Sequence, residues 1–290
     1  MRAGPVSNRR SLAAGAAALA LGIVAAVAGV RAQPPAGGPK TTELGRGPAI
    51  VFVHGLGASR SDWMPTARKL IGKHRVVLVD LPGHGDTPLP DPFSFAAAGE
   101  ALDRVLARQN PDSTIVVAHQ MGGRAVLASL AAHPGRAKGL MLLDVPVGVP
   151  AQIDDQQKKG FLEFMDKNYE TVTRMMFSNL GRDTTQSAAI YAVFTQTPAA
   201  TVKAFIREGF YSDGNKDARA LKVPVQMLAT SRVWKGDQTP GTLLKLLGWA
   251  DTTLTVRRVP ESGYWAMKDQ ADTLAAWIAE FAAARIGTTR

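Results

Sequence analysis

Six short runs of apolar, largely β-branched residues alternate with longer stretches of helical spacing, and that alternation is the strongest constraint on how this chain folds. A run that is apolar at nearly every position suits a strand buried on both faces, and strands that alternate with helices join in parallel. The runs are Ala49–His54, Val76–Asp80, Thr114–His119, Gly139–Asp144, Val223–Thr230 and Thr252–Val259. The spacing predicts helices over about Ser61–Lys73, Phe95–Gln109, Met121–Ala132, Thr242–Trp249 and Lys268–Ala284. The expected fold class is therefore α/β, a doubly wound and mostly parallel sheet.

One stretch interrupts the alternation. From about Gln152 to Ser212 no strand pattern occurs, while Phe161, Leu162, Phe164, Met165, Phe194 and Phe205 recur at helical spacing. This predicts an inserted helical cap over residues 151–212, between core segments 42–150 and 213–290. Met and Phe at such spacing ordinarily fill a core, and soft side chains also suit the wall of a pocket. Phe161 and Met165 are accordingly candidate pocket residues, with Trp234 and Trp265 from the loops that follow the last two strand runs.

The charge needs to be located before it is interpreted. The chain carries 34 Lys+Arg against 24 Asp+Glu, a net +10, and no cysteine. Without cysteine there is no thiolate nucleophile, disulfide framework, iron–sulfur cluster or cysteine zinc site. Arg2, Arg9, Arg10 and Arg31 fall in a first stretch of 32 residues that lacks Asp and Glu, and without them the excess is +6. Asn8-Arg9-Arg10-Ser11-Leu12, the uncharged run Ser11–Val30 and Val30-Arg31-Ala32 read as a twin-arginine-like export signal cleaved after about Ala32. Export to the periplasm or the exterior is expected, with an uncleaved N-terminal membrane anchor as the alternative. Residues 33–41 are a Pro/Gly-rich leader. In the rest of the chain acids and bases are interspersed, so neither a nucleic-acid partner nor a membrane span in the mature chain is expected.

Four segments carry a resemblance: Val51-Phe52-Val53-His54-Gly55-Leu56-Gly57, Asp80-Leu81-Pro82-Gly83-His84-Gly85, Ala118-His119-Gln120-Met121-Gly122-Gly123 and Pro260-Glu261-Ser262-Gly263-Tyr264-Trp265. In order, spacing and register with the strand–helix alternation, the chain resembles an α/β-hydrolase over residues 42–285. The resemblance implies a nucleophile on a strained strand-to-helix elbow of form G-x-S-x-G, then an acid, then a histidine after the last strand. It also implies an oxyanion hole of backbone N–H groups from Leu56 and Met121, in the turn that contains His54 and Gly55.

Both reacting positions depart from that pattern. The elbow holds Gln120, whose amide is a poor nucleophile, and the histidine position holds Tyr264, a phenol with an ordinary pKa near 10. The five histidines are His54, His74, His84, His119 and His133, so none lies in the last 157 residues, and their scatter gives no zinc spacing. Chain order favours Asp237 as the triad acid, with Asp144 as the competitor. Two functions remain open on these residues. The pocket binds a small apolar or ester-like molecule without hydrolysis, or Gln120 and Tyr264 support altered hydrolase, lyase or isomerase chemistry. Neither needs a cofactor or metal.

Overall fold

The computed structural model describes residues 38–149 and 153–286. The export signal expected over residues 1–32 lies outside them, as does leader segment 33–37. Seven strands form one sheet: β1 (Thr41–Leu44), β2 (Ala49–Val53), β3 (Arg75–Val79), β4 (Thr114–His119), β5 (Gly139–Leu143), β6 (Val225–Thr230) and β7 (Val256–Val259). Their order is β1-β3-β2-β4-β5-β6-β7. Every neighbouring pair is parallel except β1 and β3, which run antiparallel with Thr41 opposite Val79. The central strands β2, β4 and β5 are buried at every position, as their unbroken apolar runs require. Among the described residues, β1 is the one strand that the run pattern does not predict; it is a half-buried edge strand of composition Thr-Thr-Glu-Leu.

The helices are α1 (Met64–Ala67), α2 (Phe95–Leu106), α3 (Met121–Ala132), α4 (Asp155–Lys167), α5 (Tyr169–Phe177), α6 (Thr184–Phe194), α7 (Ala199–Tyr211), α8 (Gly214–Ala220), α9 (Pro240–Leu246), α10 (Ala266–Asp269) and α11 (Ala271–Ile286). The helix expected over Ser61–Lys73 is shorter, a 3-10 turn at Arg60–Trp63 followed by α1. Pro65 is tolerated at the start of α1 but cannot donate to a helix running through it. Helix α3 begins and ends where the periodicity places it.

Helices α4–α8 occupy the stretch between β5 and β6. Several contacts seat this insertion on the sheet. Thr201 in α7 donates to the Gly83 carbonyl at 3.0 Å. The buried Arg124 of α3 donates to Ser212 Oγ at 2.7 Å and lies over the Phe95 ring. Phe194 of α6 closes on Gly57, where a Cβ would stand 2.1 Å from its ring. Phe194 also stacks on Phe177 with ring centroids 3.6 Å apart. Among the described residues no helix is long and apolar enough to cross a membrane.

Candidate functional site

The site lies at the C-terminal ends of the parallel strands, where three residues other than glycine have positive φ: Gln120 after β4, Asp144 after β5 and Glu261 after β7. Gln120 has φ 50° and ψ −134°, an unfavourable conformation for a side-chain-bearing residue. It is imposed from both sides. The Gln120 N–H continues the sheet ladder by donating to the Leu143 carbonyl at 2.9 Å, while its own carbonyl accepts from Gly123 N as α3 begins. The turn is as tight as the two glycines allow. A Cβ on Gly122 would stand 2.0 Å from the His54 carbonyl oxygen, and one on Gly123 would stand 2.4 Å from Val145.

Gly55 is where the site converges. A Cβ there would meet the Gln120 Cβ at 2.8 Å, the Tyr264 hydroxyl at 2.9 Å and His119 Nδ1 at 3.0 Å. Gln120 and Tyr264 thus come together although 144 positions separate them in sequence. They are not hydrogen-bonded to each other. Tyr264 donates instead to the Leu56 carbonyl at 2.7 Å, and the amide of Gln120 has no protein partner among the described residues. Burial pushes the Tyr264 phenol far above its usual value, so it is neutral and a weaker acid than a free tyrosine. The backbone N–H groups of Leu56 and Met121 likewise have no acceptor among the described residues, and both residues line a cavity beside Gln120.

The histidines divide by their hydrogen bonds. His54 Nε2 accepts from Leu81 N at 3.0 Å and Nδ1 donates to the Gly55 carbonyl at 2.8 Å, so both ring nitrogens hold the loop. His84 does the same work between Gly57 N and the Pro82 carbonyl. Burial lowers His54 to about 4 and His84 to about 3. His119 packs edge-on against Tyr264 with centroids 4.6 Å apart, and neither ring nitrogen has a partner among the described residues. Burial lowers it to about 3 as well, so it is a neutral ring.

The two candidate acids sit in different surroundings. Asp144 is buried, accepting from Thr230 N at 2.9 Å and Thr230 Oγ1 at 2.6 Å. Burial pushes its carboxyl up to about 6, against those two hydrogen bonds. Its charge reaches Tyr264. Asp237, favoured by chain order, is exposed on the loop before α9. The structure therefore buries Asp144 at the end of β5, bonded to Thr230, and leaves Asp237 on the surface.

A cavity of about 170 Å³ opens beside the elbow. Its apolar wall is Leu56 and Met121 from the core with Met176, Phe177, Leu180 and Ile206 from the insertion, and its polar groups are Gln120, Tyr264 and Arg232. None of Phe161, Met165, Trp234 and Trp265 lines it. Met165 is fully buried in the insertion, and Phe161 packs against Phe210 there. Trp234 donates its indole N–H to the Gln238 carbonyl, and Trp265 lies under the Lys268 ammonium. No sequence motif marks Arg232, which lies in the loop after β6.

The fold and this elbow define the class of protein, and comparison with known families agrees: a model of the α/β-hydrolase fold matches residues 48–221. The chain belongs to the α/β-hydrolase family. It is 33% identical over 96 residues to the esterase YbfF of Escherichia coli, a match covering 33% of this chain and 38% of that protein. It is 24% identical over 192 residues to a pimeloyl-(acyl-carrier protein) methyl ester esterase of Pseudoalteromonas atlantica, covering 65% of this chain and 70% of that one. Among solved structures, a hydrolase from Oleispira antarctica superposes with a TM-score of 0.69 at 14% identity, over 85% of this chain and 95% of that one.

Proposed function

We propose that this is an exported α/β-hydrolase-family protein whose site holds a small molecule without Ser-His-Asp hydrolysis. The observation that carries the reading is the partnering at the two reacting positions. Gln120 stands on the strained elbow, where the family places its nucleophile, and Tyr264 stands in the histidine's place with its hydroxyl proton directed to the Leu56 carbonyl. Among the described residues no strong base adjoins Gln120 to activate a water: burial lowers His119 to about 3, which makes it a weak base at neutral pH, and both Asp144 oxygens already accept from Thr230. What remains is a cavity with two unpaired oxyanion-type N–H groups, which supports binding of an oxygen-bearing ligand. The similarity to esterases then reflects descent. Export is supported by the Arg9-Arg10 segment and the uncharged run after it.

The test is an assay of the purified protein on p-nitrophenyl esters beside Gln120→Ala and the paired restoration Gln120→Ser with Tyr264→His. The parent and Gln120→Ala are expected to match the background rate, with turnover appearing only in the double variant. A parent whose turnover is enzymatic and is abolished by Gln120→Ala overturns the reading. The alternative, acid catalysis by Tyr264 in a lyase or isomerase, is weakened by the upward shift of that phenol.

A further inference from the structure

The polar groups left unpaired in the cavity are mainly donors. Arg232 follows β6 and its neighbour Ser231, is half-buried, and lines both the cavity and an adjoining groove that contains Arg182 and Glu261. Arg182 is paired with Asp269 at 3.2 Å. Arg232 has neither an ion pair nor a side-chain hydrogen bond among the described residues, and Glu261 does not reach it. Asp144 feels its charge, but both Asp144 oxygens are already bonded to Thr230. A guanidinium partly withdrawn from water without a direct ion pair is costly, and the natural relief is an anion from outside the chain. No acid lines the cavity, and the Leu56 and Met121 N–H groups are likewise donors without acceptors.

We propose that the ligand of this site is a small monocarboxylate and that Arg232 is the residue that holds its carboxylate. A guanidinium presents parallel N–H donors that match the two oxygens of a carboxylate. One cation balances one negative charge. The six apolar wall residues suit a hydrocarbon or aromatic body, and about 170 Å³ is smaller than the roughly 300–1,000 Å³ of sites for drug-sized ligands, which limits that body to benzoate or hexanoate scale. The inference rests on the cavity being a small-molecule site, as proposed above, and adds the chemical class that enters it.

Titration calorimetry on the full chain with benzoate, phenylacetate and hexanoate, each beside its neutral primary amide, tests the assignment. Acids are expected to bind at least ten-fold more tightly than their amides. Arg232→Gln is expected to abolish that preference and Arg232→Lys to retain part of it. Because Arg232 makes no hydrogen bond or ion pair among the described residues, both variants are expected to stay folded at the assay temperature, which thermal melts check. Met176→Trp, which fills the mouth of the cavity, is expected to block binding and so to separate this site from general attraction to a basic surface. Amides binding as well as acids, a preference surviving Arg232→Gln, undiminished binding in Met176→Trp, or no binding by any probe each overturns the inference. Equal binding of acids and amides leaves the small-molecule reading intact. Ester turnover lost in Gln120→Ala overturns that reading while leaving the Arg232 comparison to stand or fall separately.

Discussion

At the scale of the residue, Tyr264 links two segments that the sequence separates by more than two hundred positions. Its hydroxyl donates to the Leu56 carbonyl, and both residues are buried, at 6% and 5% exposed. Removing the hydroxyl leaves that carbonyl short of a donor in a place water reaches poorly. Tyr264→Phe is therefore expected to lower stability by about 1–3 kcal/mol, the usual penalty for a buried polar group left unpaired. Urea denaturation of the two proteins checks it, and an unchanged midpoint at unchanged slope shows that the phenol does not hold the loop. No change in any turnover is expected, because the same bond removes Tyr264 from proton transfer. That a glutamine stands at the β4–α3 elbow and a tyrosine after the last strand is readable from four motifs in register; that they fail to bond to each other is not, since it depends on where the hydroxyl turns.

At the scale of the element, the β4–α3 elbow keeps a strained geometry around a residue with no nucleophile to expose. A non-glycine residue at φ 50° and ψ −134° costs on the order of 1–3 kcal/mol, and glycine adopts such angles freely at a modest entropic cost. Gln120→Gly is expected to raise stability by about 1 kcal/mol. Gly122→Ala is expected to lower it, toward the upper end of the roughly 1–3 kcal/mol typical of overpacking, because the new Cβ meets a backbone oxygen. Thermal melts of both variants decide the matter, and a destabilised Gln120→Gly shows that the side chain makes contacts outweighing the strain. Strand β4 and helix α3 were legible to the residue because burial on both faces leaves an unbroken apolar run and the helix starts at a sharp change of pattern. Strand β1 was not, since a half-exposed edge has no such run. Which candidate acid is buried, and which residues wall the cavity, were least legible. Chain order cannot say which of two loops folds inward, and Met176, Phe177 and Leu180 reach the site only through the packing of the insertion.

At the scale of the whole molecule, the buried titratable groups set how stability depends on pH. His54, His84 and His119 are held neutral in the folded chain down to about 4, 3 and 3, against 6.5 when unfolded. His74 is lowered as well, also by burial. A group with a depressed folded pKa stabilises the fold above its unfolded value, and that contribution is lost as pH falls toward the folded one. Asp144 acts in the opposite sense. Its carboxyl is raised from 3.8 to about 6, so its contribution is complete below 3.8 and is lost as pH rises through 6. Near pH 5 the three histidines outweigh the one carboxyl, and unfolding is expected to take up about two protons, a slope of about 3 kcal/mol per pH unit. Denaturation midpoints at pH 7.5, 6 and 5 are expected to fall steadily, and a flat profile refutes the balance. His119→Leu supplies the sharper check. Its ring nitrogens have no partner, so the substitution forfeits no hydrogen bond, and it is expected to reduce the proton uptake by about one while leaving stability at pH 7.5 nearly unchanged.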